Sequence, residues 1–156
     1  MNAANQKTLG VVLDGRAGVT VGDDSLSVIG YVEEPTTELV AVDRAGTVWS
    51  CSPDGSGRVL MNSSVASLSR FLDLFAAFFA ADPAADRPPM TYSADQMAER
   101  LAAFRRGEIR PAAAPPRDDR RSRVRQLKKA PKDIDKRAVK APWWSIILEQ
   151  VDDGIL

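Results

Sequence analysis

The sequence contains no histidine and a single cysteine. Each absence removes a class of chemistry. Without His there is no Ser-His-Asp triad and no Cys-His pair. A lone Cys51 forms no intramolecular disulfide, and no Cys/His zinc set can be assembled. Acid–base work would fall to carboxylates, Lys, Tyr or Ser. Long apolar runs are missing too. The most apolar window, Leu74 to Ala81, falls far short of the ~18–20 residues that a membrane span needs. There is no GxxxxGK[ST] and no GxGxxG phosphate loop. Asp152-Asp153-Gly154 lacks the spaced Asp/Asn/Glu set of a calcium loop. No metal and no cofactor is therefore expected. The N-terminal stretch has one Lys and a short apolar run, unlike a signal peptide. The expected location is the cytoplasm, with Cys51 a reduced thiol packed at a strand end.

What is present fits an ordinary soluble domain. The 156 residues are 44% apolar and 27% charged. A chain of this length can bury roughly 68–70% of its unfolded surface without staples. Lys+Arg and Asp+Glu balance at 21 each, but they are segregated. Residues 1–99 carry 6 basic and 13 acidic side chains, residues 100–140 carry 15 and 5, and residues 141–156 carry none and 3. Acidic, basic and acidic segments in series mark a binding surface or an internal pairing of segments.

Apolar periodicity divides the chain. Residues 8–61 read as strands and turns: Thr8–Leu13, Val19–Val21, Leu26–Val32, Glu38–Val42, Thr47–Cys51 and Val59–Met61. The best hairpin joins Glu38–Val42 to Thr47–Cys51, with Gly46 free to take the positive φ of a tight loop. Together the strands form an antiparallel meander with one face to cover. Asn62-Ser63-Ser64 then supplies a helix N-cap. Val65, Leu68, Phe71, Leu72, Phe75 and Phe79 follow at helical spacing, to about Ala81. Ser93 and Gln96 make a capping box for a second helix, with Met97, Leu101 and Phe104 on one face. The stretch 82–90 is Pro-rich and reads as a loop, and 111–119 as a linker. Residues 120–132 are strongly basic, with a helix over Arg121–Lys129. Pro142 opens a last helix, Trp143–Val151. The expected division is an α+β core over 1–110, a Pro/Arg-rich basic linker or helix over 111–132, and 133–156 packing back on that core.

The charged residues offer two surfaces. Arg120, Arg121, Arg123, Arg125, Lys128 and Lys129 could neutralise phosphates, but no aromatics are interleaved and no groove-reading motif is present. Nucleic acid is thus the less favoured partner. Adjacent carboxylates at Asp23-Asp24 and Glu33-Glu34 would point to opposite faces of a strand, so neither makes an acid–base dyad. Glu33, Glu34, Glu38 and Asp43 form instead a candidate acidic edge for a basic partner.

The motifs then join up. An apolar strand holds Ile29-Gly30. A hairpin runs Leu39-Val40-Ala41-Val42-Asp43-Arg44-Ala45-Gly46-Thr47-Val48. Met61-Asn62-Ser63-Ser64-Val65 leads into a helix bearing Phe71-Leu72. The chain closes with Ile134-Asp135, Ala138, Trp143-Trp144, Leu148-Glu149-Gln150, Asp153-Gly154 and Leu156. This pattern resembles the SUKH superfamily, and in particular the actinobacterial, group-four SUKH immunity proteins. It covers most of residues 26–81 and 133–156, and the stretch 110–132 has no counterpart in it.

The resemblance implies an α+β fold, with a central antiparallel sheet (meander) backed by helices, SUKH-like. It implies no catalysis. Similar proteins bind and neutralise a cognate toxin, often a nuclease or deaminase of a bacterial polymorphic toxin system. Gly30, Gly46, Asn62, Ser63, Ser64, Phe71, Trp143, Trp144 and Gly154 are then expected to build the fold. The alternative is a SUKH-like protein-interaction adaptor or regulator whose basic segment contacts nucleic acid or an acidic partner. An enzyme working with carboxylates alone would need a converging Asp/Glu pair in a cleft.

Overall fold

Alternating apolar residues build the first half of the chain into strands, and apolar residues three and four apart build the second half into helices. The computed structural model describes residues 8–14, 19–22, 25–81, 93–108 and 117–156. Asp23-Asp24 and the Pro-rich stretches 82–90 and 111–116 lie outside the described residues.

The strands are β1 (Val11–Leu13), β2 (Thr20–Val21), β3 (Leu26–Val32), β4 (Glu38–Asp43), β5 (Val48–Cys51) and β6 (Val59–Asn62). They form one antiparallel sheet in the order β1-β3-β4-β5-β6, and β2 also pairs with β3. β1 lies along Gly30–Val32 and β2 along Leu26–Ser27, end to end on one edge of β3. The expected meander is therefore present, and so is the expected α+β class.

The helices are α1 (Val65–Ala80), α2 (Ala94–Arg105), α3 (Arg117–Ile134), α4 (Lys136–Val139) and α5 (Pro142–Asp153). α1 starts at Ser64, whose side chain accepts from the Ser67 N–H, and the Ser67 hydroxyl in turn accepts from the Ser64 N–H. A serine thus closes a capping box that Glu or Gln more often closes. α5 begins with Pro142 in its first turn and ends at Gly154 with φ 75°. There the Ile155 N–H donates back to the Gln150 carbonyl, and only a residue tolerant of left-handed φ allows that closure.

The main core lies between the sheet and α1, α3 and α5. Val11, Val40, Val48 and Met61 from the strands meet Leu68, Phe71, Leu72 and Phe75 of α1. Val124 and Leu127 of α3, Ala138 of α4, and Trp144, Leu148 and Val151 of α5 complete it. A smaller cluster of Leu26, Val28, Leu39, Ala41 and Cys51 lines the other sheet face, with Tyr31 and Trp49 half-buried beside it. α2 stands apart from this packing. It buries none of its residues, and Met97, Leu101 and Phe104 are 54%, 49% and 52% exposed.

Gly30 is required by a close approach rather than by φ. A Cβ there would press into the carbonyl oxygen of Val12 and against the Leu13 backbone. The β3–β4 register shifts between Val28 and Gly30, so the bulge brings β1 onto a bare backbone. Gly30→Ala is expected to cost about 1–3 kcal/mol as an overpacking change. Urea denaturation should show a lower midpoint. Amides of Val11–Leu13 should lose hydrogen-exchange protection before those of β4 and β5.

Candidate functional site

Three buried polar side chains, Asn62, Ser67 and Asp135, converge where β6 runs into α1. Asn62, fully buried, is the last residue of β6, and Ser63 and Ser64 turn the chain into α1. Across from them sits Asp135, 7% exposed, between α3 and α4. Its Oδ2 accepts from the Ser63 N–H at 2.6 Å, the Ser67 hydroxyl at 3.3 Å and the Asn62 amide at 3.4 Å. Its Oδ1 accepts from the Ser63 hydroxyl at 3.1 Å and from the Ala138 N–H at 3.0 Å, which caps α4. Burial by itself would push this carboxyl up, but the donors of Ser63, Ala138 and Asn62 outweigh it and hold it below its ordinary value.

The other oxygen of the joint belongs to Asn62. The Trp144 indole N–H donates to Asn62 Oδ1 at 3.1 Å and to the Met61 carbonyl at 3.0 Å. Trp144 is fully buried. Its ring lies 4.8 Å from Phe71, 5.2 Å from Phe75 and 4.7 Å from Trp143, centroid to centroid. Trp143, half-buried, meets it edge-on. Every polar atom named here is matched by a partner within the chain, so the cluster ties elements together and leaves no group aimed at a ligand.

Asn62, Ser63, Ser64, Asp135 and Trp144 are all positions of the sequence pattern. The profile of one protein family, described as SUKH-4 immunity protein, matches residues 7–150. The chain belongs to this family. Neither a curated protein nor a solved structure matches it. Membership makes the immunity role general to the SUKH-4 family the frame for its surfaces, and a protein toxin the general kind of partner. Residues 110–132, without a counterpart in the sequence pattern, fall within the matched span.

The structure distributes the four acidic residues widely. Glu33 and Glu34 are exposed at the β3–β4 turn, with Glu33 at φ 58° and its carboxylate packed over Gly10. Glu38, half-buried at the start of β4, accepts from the Ser50 hydroxyl. Asp43 lies at the far end of the same strand, about 17 Å away at ~3.4 Å per residue. It accepts from the Trp49 indole at 2.9 Å and from the Ala45 and Thr47 N–H groups at 2.8 and 2.9 Å. The Trp49 donor, followed by the Thr47 backbone, keeps its carboxyl low. Sequence reasoning missed this pairing, although Asp43 and Trp49 stand on either side of the Gly46 turn, where a hairpin brings residues together.

The basic residues divide along α3. Arg120 donates to the Val151 carbonyl at 2.9 Å and to the Leu156 carbonyl at 3.1 Å, across the end of α5. Lys128 pairs with Asp152 at 2.6 Å. Arg123 lies over the Phe78 ring, 5.6 Å from its centroid. Arg121, Arg125 and Lys129 are exposed in one row at i, i+4 and i+8. The basic stretch is thus a continuous helix, packed through Val124 and Leu127, that grips the acidic end of the chain.

Cys51 is buried, and burial raises its thiol, so it has the character of a packing residue. Among the described residues no three His, Cys, Asp or Glu side chains come together in a metal-holding group. No helix among them is long and apolar enough to cross a membrane.

Proposed function

We propose that the protein binds and neutralises a cognate toxin of a bacterial polymorphic toxin system, of nuclease or deaminase type, in the cytoplasm of an actinobacterial cell. It acts as a non-enzymatic inhibitor that covers the toxin's working surface. The observation that carries this reading is the family match over residues 7–150. The bonding of the signature residues supports it: Asn62, Ser63, Asp135 and Trp144 spend their polar atoms on one another and on the backbone, so recognition falls to the surface. The acidic turn at Glu33 and Glu34, with Glu38 beside it, is the proposed contact. A toxin that grips phosphates is basic there, and opposite charge steers such a pair together.

The test is co-expression with secreted-toxin candidates encoded beside this gene. Growth should be rescued, and the two proteins should copurify. Glu33→Lys with Glu34→Lys should slow association by about tenfold or more at low salt and flatten its salt dependence, with dissociation little changed. Neither rescue nor complex with any neighbouring candidate would end the proposal.

The exposed row of Arg121, Arg125 and Lys129 favours a second reading. In it the protein is a SUKH-like adaptor or regulator, and α3 contacts nucleic acid or an acidic partner. A gel shift at low salt that disappears on replacing these three residues with Ala would support it.

A further inference from the structure

Two largely apolar surfaces face no partner among the described residues. One is a groove of about 340 Å³ between α1 and α3, with an apolar wall of Leu74, Ala77, Phe78 and Ala81 and a mixed wall of Leu127 and Ala130 with Arg123 and Gln126. The second is the stripe of α2, where Met97, Leu101 and Phe104 are each about half exposed. Contiguous apolar patches are uncommon on soluble monomers unless something covers them.

The two surfaces match in length. From Met97 to Phe104 the stripe advances about 10 Å, at 1.5 Å per residue. From Leu74 to Ala81 the groove wall advances by the same seven residues. At 100° per residue Met97, Leu101 and Phe104 fall within a narrow sector, and Asp95 and Glu99 fall on the opposite side. A helix seated by its stripe would therefore turn its carboxylates to water. Chain connectivity sets the occupant. Ala81 ends the groove wall and is followed, twelve residues on, by Ser93, the N-cap of α2. Twelve residues reach up to about 40 Å when extended, more than the length of either helix. α2 then leads back into α3, the other wall. A neighbouring segment at this tether length has an effective concentration in the millimolar range, which a free partner does not match.

We propose that α2 docks in cis in the α1–α3 groove, through Met97, Leu101 and Phe104, and that the groove is the seat of this helix rather than an open ligand cavity. An isolated helix of this length is marginal in water, so stable helicity of α2 depends on the seat.

The experiment uses the full chain. Ala77→Cys is combined with Leu101→Cys in one variant and with Glu99→Cys in another, and both are oxidised at low micromolar concentration. Ala77 is exposed and Cys51 is buried, so neither the core nor the native thiol interferes. The Leu101 pair should close within the monomer, and the Glu99 pair should not. Ala77→Arg, which fills the groove from its rim, should lower hydrogen-exchange protection of the α2 amides by about tenfold or more while leaving β3 and β4 unchanged. Equal crosslinking of both pairs, crosslinking only between chains, or unchanged α2 protection in Ala77→Arg would each overturn the proposal.

Discussion

Trp144→Ala is expected to cost about 3–5 kcal/mol, the largest loss of any single substitution considered for this protein. Two separate effects combine. The fully buried ring fills the space between Phe71, Phe75 and Trp143, so its removal leaves a cavity that α1 and α5 cannot close without moving their backbones. The indole N–H also satisfies both the Met61 carbonyl and Asn62 Oδ1, and Ala leaves these buried acceptors without that donor. Trp144→Phe separates the effects. It keeps most of the ring packing and drops the donor, and should cost about 1–3 kcal/mol. Urea denaturation followed by far-UV circular dichroism checks both, with the midpoint falling and the slope unchanged. A typical domain has only ~5–15 kcal/mol in hand. The Ala variant is therefore best measured in the presence of a stabilising osmolyte.

Asp135→Ala should cost about 3 kcal/mol, and Asp135→Asn roughly half of that. The carboxylate is the shared acceptor of Ser63, Ser67, Asn62 and the Ala138 N–H, so its loss strands donors at the start of α1 and at the start of α4 together. Asn keeps one acceptor oxygen but brings an NH2 against those same donors. The pH dependence has a definite sign. Asp135 is held below its ordinary value in the folded protein, so its contribution is complete above the unfolded value of ~3.9 and is lost as pH falls through the lower folded value. The stability gap between wild type and Asp135→Asn should therefore be flat above about pH 5 and narrow below about pH 4. Asp43, Asp54 and Glu108 are also held low, but they are present in both proteins and cancel in the difference. Asn62→Ala combined with either substitution should cost less than the sum, because Asn62 bonds both Asp135 and Trp144.

Local rules were legible in the sequence, and pairings across the chain were not. The Ser64 and Ser93 caps, the Gly46 hairpin and the Pro142 start of α5 each depend on residues within four positions of one another, and the structure has all of them. α3 runs beyond the expected Arg121–Lys129 and passes through Pro131. Proline removes one N–H that would bond the Leu127 carbonyl, a modest loss near the end of a helix whose Val124 and Leu127 are anchored in the core. The short α4 carried no periodic signal, since four residues are too few to show one. At the β6–α1 joint, the resemblance singled out Asn62, Ser63, Asp135 and Trp144, but not that Asp135 bonds Asn62 and Ser63 while Trp144 bonds Asn62. The Asn62 and Ser63 donors lie 73 and 72 positions from Asp135, where no local pattern reaches. Met97, Leu101 and Phe104 show the converse. Their spacing gave the helix correctly, yet a helical period does not say what the face is packed against.

The joint also governs when this protein can finish folding. Asn62 and Ser63 wait for Asp135, and Met61 waits for Trp144, 83 positions later. During synthesis the sheet and α1 leave the ribosome long before α5 does, with Phe71 and Phe75 still uncovered. Closure of the core is therefore a late event, and the aromatic face of α1 stays exposed until Trp144 has been made.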